Sequence, residues 1–217
     1  MTTTPTHPLY LSGAFSDALT GRAGFGWMRT PLMGNRPPDA PMPWGADNGC
    51  FSLKGERAFK LETYLDWLRA QDVKTCLFAA APDKVGDPHV TLERSLPVLP
   101  AIRALGYPAA FVAQDGLEHL TVPWDAFDVL FLGGLKQKRR QDEWKLGPAA
   151  AALTAEATRR GKWVHMGRVN SKLRYDYAAS IGVDSVDGTY LKYGPTVNLP
   201  KLLSWVGTPE PTLREAA

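Results

Sequence analysis

The chain has 217 residues, 25 Lys and Arg against 22 Asp and Glu, and is 44% hydrophobic and 22% charged. That composition excludes wholesale disorder, collagen and coiled coil, and the length supports a packed core without disulfide or metal staples. A formal charge of +3 permits an anionic partner without demanding one, and no apolar run approaches the roughly 18 residues of a membrane span.

Short apolar runs alternate with amphipathic stretches. In chain order, strands are expected at Leu9–Ala14, Gly24–Met28, Pro43 into Asp47, Cys76–Ala81, Ala109–Ala113, Val129–Leu132, Trp163–Met166 and Ser185–Val186. Helices are expected between them. In Phe59–Leu68, Leu61, Tyr64, Leu65 and Leu68 share one face. Leu92, Leu96, Leu99 and Ile102 form a second stripe that Pro97 and Pro100 must kink or shorten. Ala149–Arg160 stops at Gly161, Lys172–Ile181 stops at Gly182, and Thr196–Val206 comes last. This rhythm means parallel βαβ units. The dinucleotide fingerprint is missing, since Gly21-Arg22-Ala23-Gly24-Phe25-Gly26 opens no clear helix. We therefore expect a compact (β/α)8 barrel as one domain over residues 1–217, with 207–217 a flexible tail. Met1–Pro8 shows no signal pattern, and Cys50 and Cys76 make neither a disulfide framework nor a zinc site. A reduced, cytoplasmic protein is expected.

Most apolar runs end in polar or glycine clusters: Asp47-Asn48-Gly49, Pro82-Asp83 with Gly86-Asp87, Gln114-Asp115-Gly116, Gly133-Gly134, His165-Met166-Gly167-Arg168 and Asp187-Gly188-Thr189. Each alone reads as a turn. In a barrel all of them meet on the C-terminal face, where active sites are built. The cluster is rich in carboxylates, and carboxylates converging in a partly apolar pocket have their pKa values pushed apart, separating an acid from a nucleophile.

These segments resemble the tRNA-guanine transglycosylase superfamily. Asp47-Asn48-Gly49-Cys50-Phe51-Ser52-Leu53 is similar to its Asp-Ser-Gly-Gly-Phe-Gln segment, with Cys50 in place of the second glycine. Gly182-Val183-Asp184-Ser185-Val186-Asp187 resembles the Gly-Ile-Asp-x-Phe-Asp segment that ends in the nucleophile. Gln114-Asp115-Gly116, Gly133-Gly134-Leu135 and His165-Met166-Gly167 resemble its base-reading turn, Gly-Gly-Leu loop and Leu-Met-Gly strand end, in the same order. Pro82-Asp83-x-Val-Gly-Asp87 and His165–Val169 look like the shorter, DpdA-type deazapurine DNA-modification branch.

The resemblance implies that Asp187 attacks the sugar C1′ of a nucleotide to form a covalent glycosyl-enzyme, and that Asp47 protonates the leaving base. It implies that Asp83 and Gln114 read the base edge, Phe51 and Met166 sandwich the ring, and the Gly133 and Gly134 backbone approaches it. Arg168 with Lys136, Lys138, Arg139 and Arg140 would hold phosphates. The family's Cys/His zinc subdomain is not represented, which directs the expected partner from tRNA to DNA, with the base flipped out or single-stranded. No metal, cofactor or membrane is expected. A free 7-deazaguanine is the expected acceptor in an exchange reaction, and water the alternative, giving a glycosylase of antiviral use. His165 reads as a satisfied structural histidine, and His7, His89 and His119 as surface or turn residues. Two rival readings are a metal-dependent hydrolase using Asp83, Asp87, His89, Asp115, His165 and Asp187, and a non-enzymatic DNA-binding module.

Overall fold

The computed structural model describes residues 7–33, 41–51, 53–137, 139 and 142–207. Eight parallel strands close on themselves in sequence order: β1 Leu9–Ser12, β2 Phe25–Arg29, β3 Trp44–Ala46, β4 Cys76–Ala80, β5 Ala109–Ala113, β6 Val129–Leu132, β7 Trp163–Met166 and β8 Ser185–Gly188. Closure is made by β1 against β8, with Leu11 opposite Asp187. The chain is thus a (β/α)8 barrel.

The connections carry helices α1 Leu53–Ala58, α2 Leu61–Arg69, α3 Pro88–Ser95, α4 Leu99–Ala104, α5 Pro148–Arg159, α6 Lys172–Ser180 and α7 Pro195–Val206. Local chemistry sets their limits. Asp87 caps α3 by accepting from the Val90 N–H, with Pro88 in the first turn. Ser171 caps α6 through the Arg174 N–H. Pro97 and Pro100 split the expected leucine-rich helix into α3 and α4. Gly207, at φ +73°, ends α7. Residues 208–217 of the expected tail lie outside the described residues. Among the described residues no helix is long and apolar enough to cross a membrane.

Strand alternation divides the apolar residues into two layers. Phe25, Trp27, Trp44, Phe111, Leu130, Val164, Met166 and Val186 face the helices, in one continuous core. Leu11, Met28, Phe78, Ala80, Ala110, Val112, Val129 and Phe131 fill the barrel interior. Large and small residues alternate across that interior. A Cβ at Gly45 would stand 2.6 Å from the Phe78 ring, so only glycine leaves room for it.

Candidate active site

The inward face of each strand continues upward by the same two-residue step. Asp47 follows Gly45, Gln114 follows Val112, Gly133 follows Phe131, Gly167 follows His165 and Asp187 follows Ser185. These residues form the layer above the apolar plug, at the C-terminal mouth of the barrel.

Asp47 and Asp187 share that mouth. Burial pushes the Asp47 carboxyl from its ordinary 3.8 up to about 7, opposed by the Gly49 N–H, while the Asp187 and Asp83 charges raise it further and Arg168 lowers it. The Gly49 N–H donates to Asp47 Oδ1 at 2.5 Å. Asp187 has a different environment. Its Oδ1 accepts the Arg168 backbone N–H at 3.2 Å and lies 3.2 Å from His165 Nε2. Among the described residues no donor reaches its Oδ2. The Asp187 side chain keeps 16% of its surface exposed, so the carboxylate is not sealed from solvent.

A second carboxylate network joins four strand ends. Asp83 is buried, and burial raises its pKa against the hydrogen bond from Asn48. Asn48 Nδ2 donates to Asp83 Oδ1 at 3.0 Å, and Gln114 Nε2 donates to Asp83 Oδ2 at 2.8 Å. Gln114 Oε1 accepts from the Gly86 and Gly134 N–H groups at 2.9 and 3.0 Å. The two residues expected to read a base edge are therefore at the site, with Gln114 Oε1 filled by two backbone donors and each Asp83 oxygen accepting one bond. They hold the β3 to β6 loops together.

Gly134, at φ +84°, takes a conformation that favours glycine, and a Cβ there would lie 2.9 Å from Asp115 Oδ2. Phe51 is 57% exposed on the β3–α1 loop, at the rim. Met166 requires a correction. It follows His165 on β7, so it faces outward, fully buried in the helix-side core. It cannot sandwich a ring bound at the barrel mouth. Arg168 is a non-glycine residue at φ +60°, and its guanidinium donates to the Gly134 carbonyl. That side chain bridges the β6 and β7 loops beside the acids. Lys136 is exposed, and exposed Arg139 pairs with Asp142 at 3.1 Å. Lys138 and Arg140 lie outside the described residues.

The residues of the metal-hydrolase reading do not come together as a set, although His165 and Asp187 touch. Asp87 is committed to capping α3, Asp115 Oδ2 accepts the Leu135 N–H at 2.7 Å, and His165 lies inside the barrel. Among the described residues, no three His, Cys, Asp or Glu side chains converge to hold a metal ion. An open groove lined by Cys50, Glu56, Phe59 and Arg94 lies at the β3 and β4 loops and includes neither Asp47 nor Asp187.

Two buried residues beside the acids were not expected in the site. Lys145 donates to the Gly167 carbonyl at 2.6 Å. Burial pushes its amine down to about 7, Arg168 adds to the fall, and Asp187 and Glu143 oppose it. Ser185 joins Trp163 and His165, each at 2.8 Å. Lys145 sits in a Glu-Trp-Lys-Leu turn close to a charge run, and nothing in its spacing marks it as buried. Ser185 and His165 were findable, because the strand step that places Asp187 inward places Ser185 inward too.

Fold and site define a closed (β/α)8 barrel whose C-terminal mouth holds two carboxylates in unequal environments. The chain matches no protein-family model, and no curated protein matches it. Among solved structures it is similar to oxaloacetate acetylhydrolase in complex with the product oxalate, at 15% identity and a TM-score of 0.42 over 77% of this chain. The match covers 60% of that protein's length.

Proposed function

We propose that this chain cleaves the N-glycosidic bond of a base in DNA, with Asp187 as nucleophile and Asp47 as acid and then base. The observation that carries the reading is the inequality of two carboxylates at one barrel mouth: burial pushes the Asp47 carboxyl up to about 7, whereas Asp187 Oδ1 takes two donors and, among the described residues, none reaches its Oδ2. This is the retaining solution for a glycosidic bond. Asp187 Oδ2 bonds to C1′ as the C1′–N bond breaks. The bonding pair leaves with the base, which takes the Asp47 proton. Asp47, now ionised, accepts a proton from the entering group, which displaces Asp187 from C1′. With a 7-deazaguanine entering, the reaction is base exchange. With water entering, it is excision to an abasic site. The motif resemblance favours exchange. Phe51 and Arg168 at the rim suit a base drawn out of the stack and its flanking phosphate.

The test is incubation with unmodified and hypermodified DNA, with and without a 7-deazaguanine, followed by mass spectrometry of released and incorporated bases. Release coupled to incorporation, abolished in Asp187→Ala, is expected. Release without incorporation replaces exchange by excision. No release from any DNA or tRNA refutes the glycosyl-bond reading.

A further inference from the structure

A polar chain runs through the barrel interior beneath Asp187. Trp163 Nε1 donates to Ser185 Oγ at 2.8 Å, Ser185 Oγ lies 2.8 Å from His165 Nδ1, and His165 Nε2 lies 3.2 Å from Asp187 Oδ1. His165 is completely buried and its ring packs on Phe78 and Phe131, at centroid distances of 4.7 and 4.5 Å. The direction of each bond follows from the chemistry of the groups. Indole N–H only donates, and an ionised carboxylate only accepts. Nε2 must then carry the proton, Nδ1 of the neutral ring must accept, and the Ser185 hydroxyl must donate to it. The apolar burial that surrounds the ring disfavours the imidazolium.

We propose that His165 is a positioning residue for Asp187, locked by Ser185 as the Nε2–H tautomer so that Oδ1 is clamped and Oδ2 alone faces the sugar carbon. The clamp is completed by the Arg168 backbone N–H on the same Oδ1. Gly167 keeps the approach clear, since a Cβ there would sit 3.2 Å from Oδ1 and 2.7 Å from the Phe131 ring. Both donors hold Oδ1, and among the described residues none reaches Oδ2, which is left to the sugar carbon. This inference rests on the glycosyl-bond reading for its consequence, and on the hydrogen-bond geometry together with the apolar burial of the ring for its existence.

The two are tested separately. Long-range nitrogen–proton NMR on the resting protein is expected to show His165 with Nε2 protonated and Nδ1 bare across neutral pH. An Nδ1–H tautomer or an imidazolium overturns the clamp, whatever the activity. In base release, His165→Leu is expected to lower kcat about ten- to a hundredfold, the range of one hydrogen bond to a charged group, with KM unchanged. His165→Gln, whose amide nitrogen replaces Nε2 as donor, is expected to recover most of that loss. Equal activity in His165→Leu, or no recovery in His165→Gln while both variants melt like the wild type, overturns the positioning role. If the wild type releases no base, the glycosyl-bond reading fails, and the tautomer spectrum still decides the clamp.

Discussion

Asp47→Asn isolates the ionisation that the proposed chemistry requires. The amide keeps the shape of the side chain and an oxygen for the Gly49 N–H. What it removes is a carboxyl whose pKa burial raises from 3.8 to about 7. The sign follows from proton counting. Between the two values the folded chain holds a proton that the unfolded chain has lost, so stability falls as pH rises through that window. The displacement corresponds to about 4 kcal/mol, at about 1.36 kcal/mol per pH unit. The asparagine variant escapes this loss. Its stability advantage over the wild type is expected to grow by about 1.36 kcal/mol per unit between about pH 4 and about pH 7 and then level off. Urea unfolding of both proteins across that range measures it. Wild-type activity is lost at the top of the same window: turnover should fall as pH rises through about 7, when the acid form is lost, and the variant should be slow and flat. A stability difference independent of pH would refute the argument, because Asp47 would then ionise as an ordinary surface carboxylate.

Three further outcomes follow from the same geometry. Asp187→Asn removes a negative charge that helps to raise Asp47; carboxyl NMR should show Asp47 titrating lower in the variant, and an unmoved titration would separate the two acids. Gln114→Ala strips the partner from the Gly86 and Gly134 N–H groups and from Asp83 Oδ2; about 3 kcal/mol is expected to be lost, or about 6–12 °C in a calorimetric melt, and an unchanged melting temperature would contradict the network. Met166→Leu conserves volume in the helix-side core, so a loss below about 1.5 kcal/mol is expected with KM unchanged, whereas a selective loss of substrate affinity would return Met166 to the cavity.

Most of the barrel was legible because its signals are local. β5, β6 and β7 occupy Ala109–Ala113, Val129–Leu132 and Trp163–Met166, each an apolar run bounded by turn residues. Where strands differ from expectation, tertiary pairing decides. β8 extends to Gly188 because β1 supplies hydrogen-bonding partners through Ser12, and β1 ends at Ser12, where the Ser12 hydroxyl turns back to the Ala14 carbonyl. The short helix α1 carries no apolar stripe and was not expected. Asp47, Asp83, Gln114 and Asp187 were legible as strand-end polar residues. What those ends do to one another was not. The ring of bonds from Asn48 through Asp83 and Gln114 to Gly134 joins positions separated by 20 to 35 residues, and no spacing rule reports which polar atoms are already spent. The misplacement of Met166 has a simpler cause. Its neighbour across β8 is Val186, not Asp187, so the alternation that turns Asp187 inward turns Met166 outward.

That alternation also bears on why polar residues lie one layer below the acids. Ser185 and His165 are buried at the level of Phe78 and Phe131, where side chains of similar volume without polar atoms would pack against the same rings and need no partners. Replacing a satisfied polar pair by apolar groups of matching shape is often neutral or stabilising, whereas removing one member leaves the other unpaired. Barrel stability therefore gives no reason for a serine and a histidine in this layer. Among the described residues, the chain from Trp163 through Ser185 and His165 ends at a single carboxylate. Among the described residues no donor reaches its other oxygen, at the barrel mouth shared with Asp47. An interior built this way holds the Asp187 carboxylate by Oδ1, and the strand step that makes the barrel sets that hold directly beneath the proposed nucleophile.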